Sequence, residues 1–158
     1  MGIGSGPTTT SSTAAGDLYR LHAPRMIALA ALMCGSRSAA EDLVHDAFAA
    51  VLPKLDGVEH PRAYLRVAVV NRCLAWRGRQ ALEREHRPSL REGETAPVDP
   101  EIRHLLGQLP IDQRVALVLR FYEDLSGAQI AEVMQHPLST VRSHIRRGLA
   151  SLKELIES

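Results

Sequence analysis

A predicted helix near the C-terminus, residues 138–155, carries four basic side chains between positions 138 and 153 and no acidic one. A helix fits the major groove of DNA, where arginine binds guanine edges and hydroxyl side chains bind phosphates. The alternative, which the sequence leaves open, is an ordinary solvated face of a bundle helix. The candidate contacts to duplex DNA are Ser139, Thr140, Arg142, Ser143, Arg146 and Arg147.

A second group of residues combines arginines with aromatic rings on a helix predicted to run from Pro61 to about Arg87. Basic side chains with interleaved aromatic rings suit single-stranded nucleic acid, because unpaired bases stack on the rings. Both rings could equally well belong to the hydrophobic core. The candidate contacts to a single strand are Arg62, Tyr64, Arg66, Asn71, Arg72, Trp76 and Arg77.

A third group is acidic and lies on the helix predicted to begin at Ser38. Asp42 and Asp46 are four residues apart and share one helix face. Paired carboxylates can act as general acid and base, but no nucleophile or set of metal ligands accompanies them. The pattern favours a face that docks on a protein, and we expect no enzyme activity, metal site, cofactor or small-molecule substrate.

The elements that hold these groups are predicted to be helices. Hydrophobic residues make up 45% of the 158 residues and aromatic residues only 4%, while helix-forming Ala, Leu, Arg and Glu are abundant. Residues 1–16, rich in Gly, Ser and Thr, predict a disordered tail. Prolines and acidic charge in residues 88–100 predict a flexible linker. The expected fold is all-α, with two small helical domains at 17–87 and 101–158.

Local signals predict where the helices begin and end. Gly35 should end the first helix, and a capping box from Ser38 to Glu41 should begin the second. Asp112 is a predicted N-cap, and Ser126 to Gln129 form a second predicted capping box. Short helices at 127–134 and 138–155, joined by about three residues, predict a helix-turn-helix.

The charge balance limits how strongly the free chain can bind DNA. The formal net charge is +1, from 19 basic and 18 acidic residues, so any DNA-binding surface depends on how the charge is distributed. The two cysteines are 39 positions apart, which fits a reducing cytosol. We find no secretion signal and no apolar run long enough to span a bilayer, and we expect a cytoplasmic protein.

Four stretches in this order resemble the extracytoplasmic-function (ECF) sigma factors of bacterial RNA polymerase. They read AAEDLVHDAF, PRAYLRVAVVNRCLAWRGR, LPIDQRVALVLRFYEDLSGAQIAEVM and STVRSHIRRGLASL. The resemblance covers about 17–87 and 101–155. It implies a region 2-like domain and a region 4-like helix-turn-helix domain separated by a linker.

The resemblance also implies a role for each group of residues. Asp42, His45, Asp46 and Phe48 match positions that dock on the clamp helices of the largest polymerase subunit. The segment from Leu55 to Arg79 matches the part that melts and reads the promoter −10 element, with Asn71 at the family's frequent asparagine. The basic face of helix 138–155 matches the −35 recognition helix. Proteins of this kind are usually held inactive by an anti-sigma factor.

Some residues depart from the family pattern. His45 replaces a usual Gln, and Gln129 replaces a common Glu. Gln135, His136 and Pro137 replace a typical Gly-Ile-Ser turn, and Gln cannot adopt a positive φ at as low a steric cost as Gly. We therefore expect the turn before helix 138–155 to be reshaped relative to the family pattern.

The function predicted from the sequence is to recruit core RNA polymerase to specific promoters. Two alternatives stay open. One is a helix-turn-helix regulator that borrows the sigma architecture without supporting initiation. The other is a sigma-like decoy for polymerase or for an anti-sigma factor.

Overall fold

The computed structural model describes residues 8–82 and 99–158, and every regular element in these two ranges is helical. The N-terminal half, residues 8–82, contains α1 (Thr8–Cys34), α2 (Arg37–Val51), a 3₁₀ turn (Leu52–Lys54) and α3 (Pro61–Leu82). The C-terminal half, residues 99–158, contains α4 (Pro100–Gly107), α5 (Ile111–Leu117), a π-helical turn (Val118–Tyr122), α6 (Gly127–Met134) and α7 (Leu138–Glu157). The predicted all-α class is confirmed.

Backbone chemistry explains the helix boundaries in the N-terminal half. The first helix ends before Gly35, whose φ of 80° is the left-handed conformation that glycine adopts without strain. The N-cap of α2 is Ser36, whose Oγ accepts a hydrogen bond from the Ala39 amide at 3.2 Å. The predicted capping box from Ser38 to Glu41 is therefore wrong by two residues. Pro61 begins α3, as predicted, because proline needs no amide hydrogen at a helix start.

The structure differs from the sequence-based prediction at the N-terminal tail. Residues 1–16 were expected to be disordered, but residues 8–16 form the first turns of α1. Extending an existing helix by one residue is much easier than nucleating a new one, so a polar segment next to α1 can continue it. Residues 1–7, most of the predicted linker 88–100 and the predicted helix end at Arg87 lie outside the described residues.

In the C-terminal half, one predicted helix cap is confirmed and the other lies at a different residue. Ser126 Oγ accepts from the Gln129 amide, while Gln129 Oε1 accepts from the Ser126 amide at 2.9 Å, so the predicted capping box is present. The predicted N-cap Asp112 lies inside the first turn of α5, and Pro110 is the N-cap. A carboxylate in the first turn still suits the positive end of the helix dipole.

The two halves pack against each other around one continuous core. The third helix contacts α5 and α6, and α1 contacts α5 and the π-helical turn. Arg114 of α5 is 2% exposed, and its Nε donates a hydrogen bond to the Leu32 carbonyl at 2.6 Å. That carbonyl lies in the last turn of α1, where carbonyls lack partners within the helix. A buried cation of one half thus completes a helix end of the other.

Close packing also fixes α7 against α5. A Cβ atom added at Gly148 would lie 2.9 Å from Leu117 Cδ1 and 3.1 Å from its Cγ. Glycine at this position therefore lets the two helices approach closely.

No helix within residues 8–82 and 99–158 has the length and apolar character needed to cross a membrane.

Candidate nucleic-acid interface

The helix-turn-helix is built from α6, a three-residue turn and α7. Ile130 and Val141 are fully buried between the two helices, so the pair packs as the sequence predicted. Gln135 ends α6 in the left-handed conformation, with φ 59° and ψ 38°. Pro137 then serves as the N-cap of α7, not as its first residue. The atypical turn thus keeps the helix-turn-helix geometry, at the cost of a strained Gln135.

The predicted −35 residues follow one side of α7. Ser139, Arg142, Arg146 and Arg147 are exposed, while Thr140 and Ser143 are half-buried. Among the described residues, no carboxylate forms an ion pair with any of these three arginines. The final helix is therefore not turned inward, and its cationic groups face solvent, although the two halves are packed together.

Two histidines lie beside this face. The rings of His136 and His144 are 5.7 Å apart between centroids and inclined at 48°. His136 is half-buried, and its Nδ1 is buried without a hydrogen-bond partner. His136 replaces the isoleucine of the typical Gly-Ile-Ser turn, and its imidazole brings a polar nitrogen into a position that offers it no hydrogen-bond partner.

The predicted single-strand residues divide into three sets on α3. Tyr64 and Asn71 are exposed, whereas Arg72, Trp76 and Arg77 are half-buried. Trp76 packs against the core, as the core alternative for this ring predicted, and it remains partly accessible. The remaining two, Arg62 and Arg66, are bound to a carboxylate of the C-terminal half.

That carboxylate belongs to Glu123, whose side chain has no exposed surface. Arg66 Nη1 donates to Glu123 Oε2 at 3.0 Å, and Arg62 Nη2 lies 3.4 Å from both carboxylate oxygens. Arg25 of α1 donates from Nε to Oε1 at 3.1 Å. We call these four residues the Glu123 cluster. It joins α1 and α3 to the end of the π-helical turn.

The sequence analysis missed Arg25 and Glu123. They are 98 positions apart, and nothing in either local pattern distinguishes them from ordinary surface charges. Burial, with a smaller coulombic contribution from Arg62, lowers the pKa of His22. Only the packing of the two halves brings these charges together.

The acidic face on α2 is largely as predicted. Asp42, His45 and Asp46 are exposed, so these three side chains are available to a protein partner. Phe48 is 1% exposed and stacks edge-on against Tyr19, with 4.9 Å between ring centroids. The prediction that Phe48 contacts the polymerase directly is therefore corrected, because its phenyl ring faces the core.

An apolar groove lies at the end of the C-terminal half. It encloses about 260 Å³ between α4, the π-helical turn and α7. Ile102, Phe121 and Leu149 line it with strongly exposed side chains. Leu149 of α7 is 44% exposed because it lines this open groove.

Catalytic and metal-binding chemistry finds little support in the described residues. No group of three or more metal-ligating side chains occurs within residues 8–82 and 99–158. Cys34 and Cys73 are buried free thiols, and burial raises the pKa of each. Burial also lowers the pKa of Arg114 to about 10. The side chains of Cys34, Cys73 and Arg114 are all buried in the core.

Comparison with known proteins places both halves in one family. Residues 18–83 match the model described as Sigma-70 region 2, and residues 100–152 match Sigma-70, region 4. The RNA polymerase sigma-E factor of Streptomyces antibioticus is 30% identical over 128 residues, which cover 75% of this chain and 71% of that protein. The chain belongs to the sigma-70 family, in its ECF group.

Other relatives of this sigma factor agree. The sigma-E factor of Streptomyces avermitilis is 30% identical over 75% of this chain and 72% of its own length. The sigma-H factor of Pseudomonas aeruginosa is 40% identical over 60 residues, which cover 38% of this chain and 31% of that protein. The prediction of an ECF sigma factor is therefore confirmed.

Two solved structures share the fold. The sigma factor RpoE from Bartonella quintana, solved with the anti-sigma factor NepR, has a TM-score of 0.71 at 22% identity, covering 90% of this chain and 96% of its own. CnrH, solved with the cytosolic domain of CnrY, has a TM-score of 0.64 at 23% identity, covering 92% and 89%. The sigma factor's function is promoter-specific initiation of transcription, and the family is not a class of enzymes.

Proposed function

We propose that this sigma factor binds core RNA polymerase through α2, reads the −10 element with α3 and reads the −35 element with α7. The observation that carries the proposal is the uncovered arginine face of α7, the second helix of the helix-turn-helix. No described carboxylate neutralises that face. We further propose that the protein acts in the cytoplasm and is not an enzyme.

The −35 assignment follows from geometry and charge. A helix of this kind enters the major groove with its first turns leading, and Ser139 and Arg142 lie in those turns. Arg146 and Arg147 follow one turn later, at a spacing suited to flanking phosphates or guanine edges. The proposed duplex contacts are Ser139, Thr140, Arg142, Ser143, Arg146 and Arg147.

The −10 assignment depends on unpaired bases. Tyr64 offers an exposed ring for stacking and Asn71 an exposed amide for hydrogen bonds to a base edge. A stacked base contributes about 1–3 kcal/mol, which is comparable to the cost of unstacking it. Several contacts and the polymerase are needed together, so we propose that the free chain binds promoters weakly. The other proposed contacts are Arg62, Arg66, Arg72, Trp76 and Arg77.

Polymerase docking is proposed for the exposed part of the acidic face. Asp42, His45 and Asp46 present charge and a polar ring on consecutive turns of α2. Such a face fits a basic surface on the clamp helices of the largest polymerase subunit. Phe48 supports the face from beneath by packing against Tyr19.

An anti-sigma factor is a further proposed partner. RpoE was solved with the anti-sigma factor NepR, and CnrH with the cytosolic domain of CnrY. This chain exposes an apolar groove at Ile102, Phe121 and Leu149. Exposed apolar patches of this kind mark protein-interaction sites. The proposal is therefore that a partner helix covers the groove when the sigma factor is inactive.

A run-off transcription assay with core polymerase tests the function. The wild-type chain should yield a promoter-specific transcript, and the combined variant Arg142→Ala, Arg146→Ala and Arg147→Ala should lose it. Each lost base contact costs about 1–3 kcal/mol, and each lost phosphate contact lowers the salt slope by about one. Arg20→Ala, which removes an exposed arginine of α1, is the control.

Other outcomes would point to the two rival functions. If the wild-type holoenzyme produces no promoter-specific transcript, the helix-turn-helix regulator is favoured. If the triple variant transcribes as well as wild type, α7 does not read DNA and a decoy is favoured. A gel shift completes the test, because tight and sequence-specific binding by the isolated chain would contradict the proposed need for polymerase.

A further inference from the structure

The Glu123 cluster places DNA-binding arginines against a carboxylate of the same chain. All three guanidinium groups come from the N-terminal half, and the carboxylate comes from the C-terminal half. One negative charge thus faces three positive charges. Arg25 also lies over the Tyr122 ring at 5.3 Å, so the cluster is seated on the π-helical turn.

The carboxylate uses only part of this site's donor capacity. The Nε atoms of Arg62 and Arg66 are buried without a hydrogen-bond partner. Both Arg62 contacts to Glu123 are 3.4 Å long, whereas charge-assisted bonds are usually about 2.7–2.9 Å. A site with surplus positive charge and unused N–H donors suits a stronger, multi-oxygen anion than one carboxylate.

We propose that Arg25, Arg62 and Arg66 form a single phosphate-binding site for the melted promoter strand, and that Glu123 occupies this site while the two halves are packed. Phosphate and carboxylate then compete for the same three guanidinium groups. This inference deepens the proposed function and rests on it. Its new elements are Arg25 as a DNA contact and Glu123 as the intramolecular competitor.

The burial pattern allows the exchange. The side chains of Arg25 and Arg62 are 45% and 43% exposed, so they can turn to an outside ligand without unfolding. Glu123, in contrast, is completely buried, and its charge is tolerated only while the arginines surround it. Separation of the halves therefore exposes Glu123 to water and frees the arginines at the same time.

The isosteric change Glu123→Gln tests the competition. It removes the charge and should let the halves separate, giving a radius of gyration above the roughly 15 Å typical of a compact chain of this length. If the packed form dominates tenfold in the free protein, affinity for single-stranded DNA should rise by about tenfold. The probe is a labelled dodecamer of thymidine, read by fluorescence anisotropy, because phosphate contacts do not depend on sequence.

A second variant opens the cluster from the other side. Arg66→Gln should also enlarge the molecule in small-angle scattering, but it should weaken oligonucleotide binding and not strengthen it. In the Glu123→Gln background, Arg25→Gln should lower the salt slope of binding by about 0.7. Glu154→Gln, an exposed carboxylate change on α7, is the control and should alter neither size nor affinity. Circular dichroism checks that each variant is folded.

The proposal is overturned if Glu123→Gln raises neither size nor affinity, or if Arg25→Gln leaves the salt slope unchanged. A chain that enlarges without binding DNA more tightly would show that the arginines hold the halves together and nothing else. Transcription by the wild-type holoenzyme separately tests the proposed function. A failure there would not change the scattering and anisotropy results, so the two hypotheses fail distinguishably.

Discussion

Replacing Gln135 by glycine should stabilise this sigma factor. Gln135 ends α6 with φ 59° and ψ 38°, and its exposed side chain offers no compensating burial. The left-handed conformation costs a residue with a Cβ about 1–2 kcal/mol. Glycine avoids that cost, but it gives the unfolded chain more conformational freedom. That freedom lowers the free energy of unfolding by about 0.4–1 kcal/mol. The expected net gain is about 0.5–1 kcal/mol.

Thermal unfolding followed by circular dichroism measures this gain. For a chain of this size, 1 kcal/mol corresponds to about 2–4 °C, so Gln135→Gly should raise Tm by about 1–4 °C. Gln108→Gly is the matched control, because Gln108 is also an exposed residue at a helix C-terminus but has φ −87°. Glycine relieves no strain there, and the control should lower Tm slightly.

A third variant separates backbone strain from loss of the side chain. Gln135→Ala keeps the Cβ and should give no gain. The reasoning is refuted if Gln135→Gly fails to raise Tm, or if Gln135→Ala raises it equally. Either result would mean that the αL backbone of the turn is not the source of the cost.

Three other predictions follow from contacts in the core. Arg114→Met should lower the free energy of unfolding by about 1–2 kcal/mol in urea titrations, because the Leu32 carbonyl loses a charge-assisted donor. The loss stays this small because the substitution also removes the desolvation cost of the buried cation. Unchanged stability would contradict the capping role. Gly148→Ala should cost about 1–3 kcal/mol by the same method, since its methyl group would overlap Leu117, and a neutral result would mean that α7 shifts freely. Native protein at pH 8 should resist iodoacetamide at Cys34 and Cys73, because burial raises both thiol pKa values; mass spectrometry should find adducts only after denaturation, and rapid native labelling would refute this.

Much of this sigma factor could be predicted from its amino-acid order. The 3.6-residue spacing of apolar side chains determines helices, and turn residues such as Gly35 and Pro61 fix ends because their backbone preferences act locally. The basic face of α7 was predictable for the same reason, since residues one turn apart must share a face. Capping was less certain, because neighbouring polar residues such as Ser36 and Ser38 compete for one role.

Tertiary packing decided what local patterns could not. Whether Phe48 faces a partner or the core, and whether Arg62 faces DNA or Glu123, depends on which elements cover each helix. Arg25 and Glu123 carry no local signal, because their meeting needs α1, α3 and the π-helical turn to converge. Helical periodicity acts over a few residues, whereas burial and charge pairing depend on groups that lie far apart in the chain.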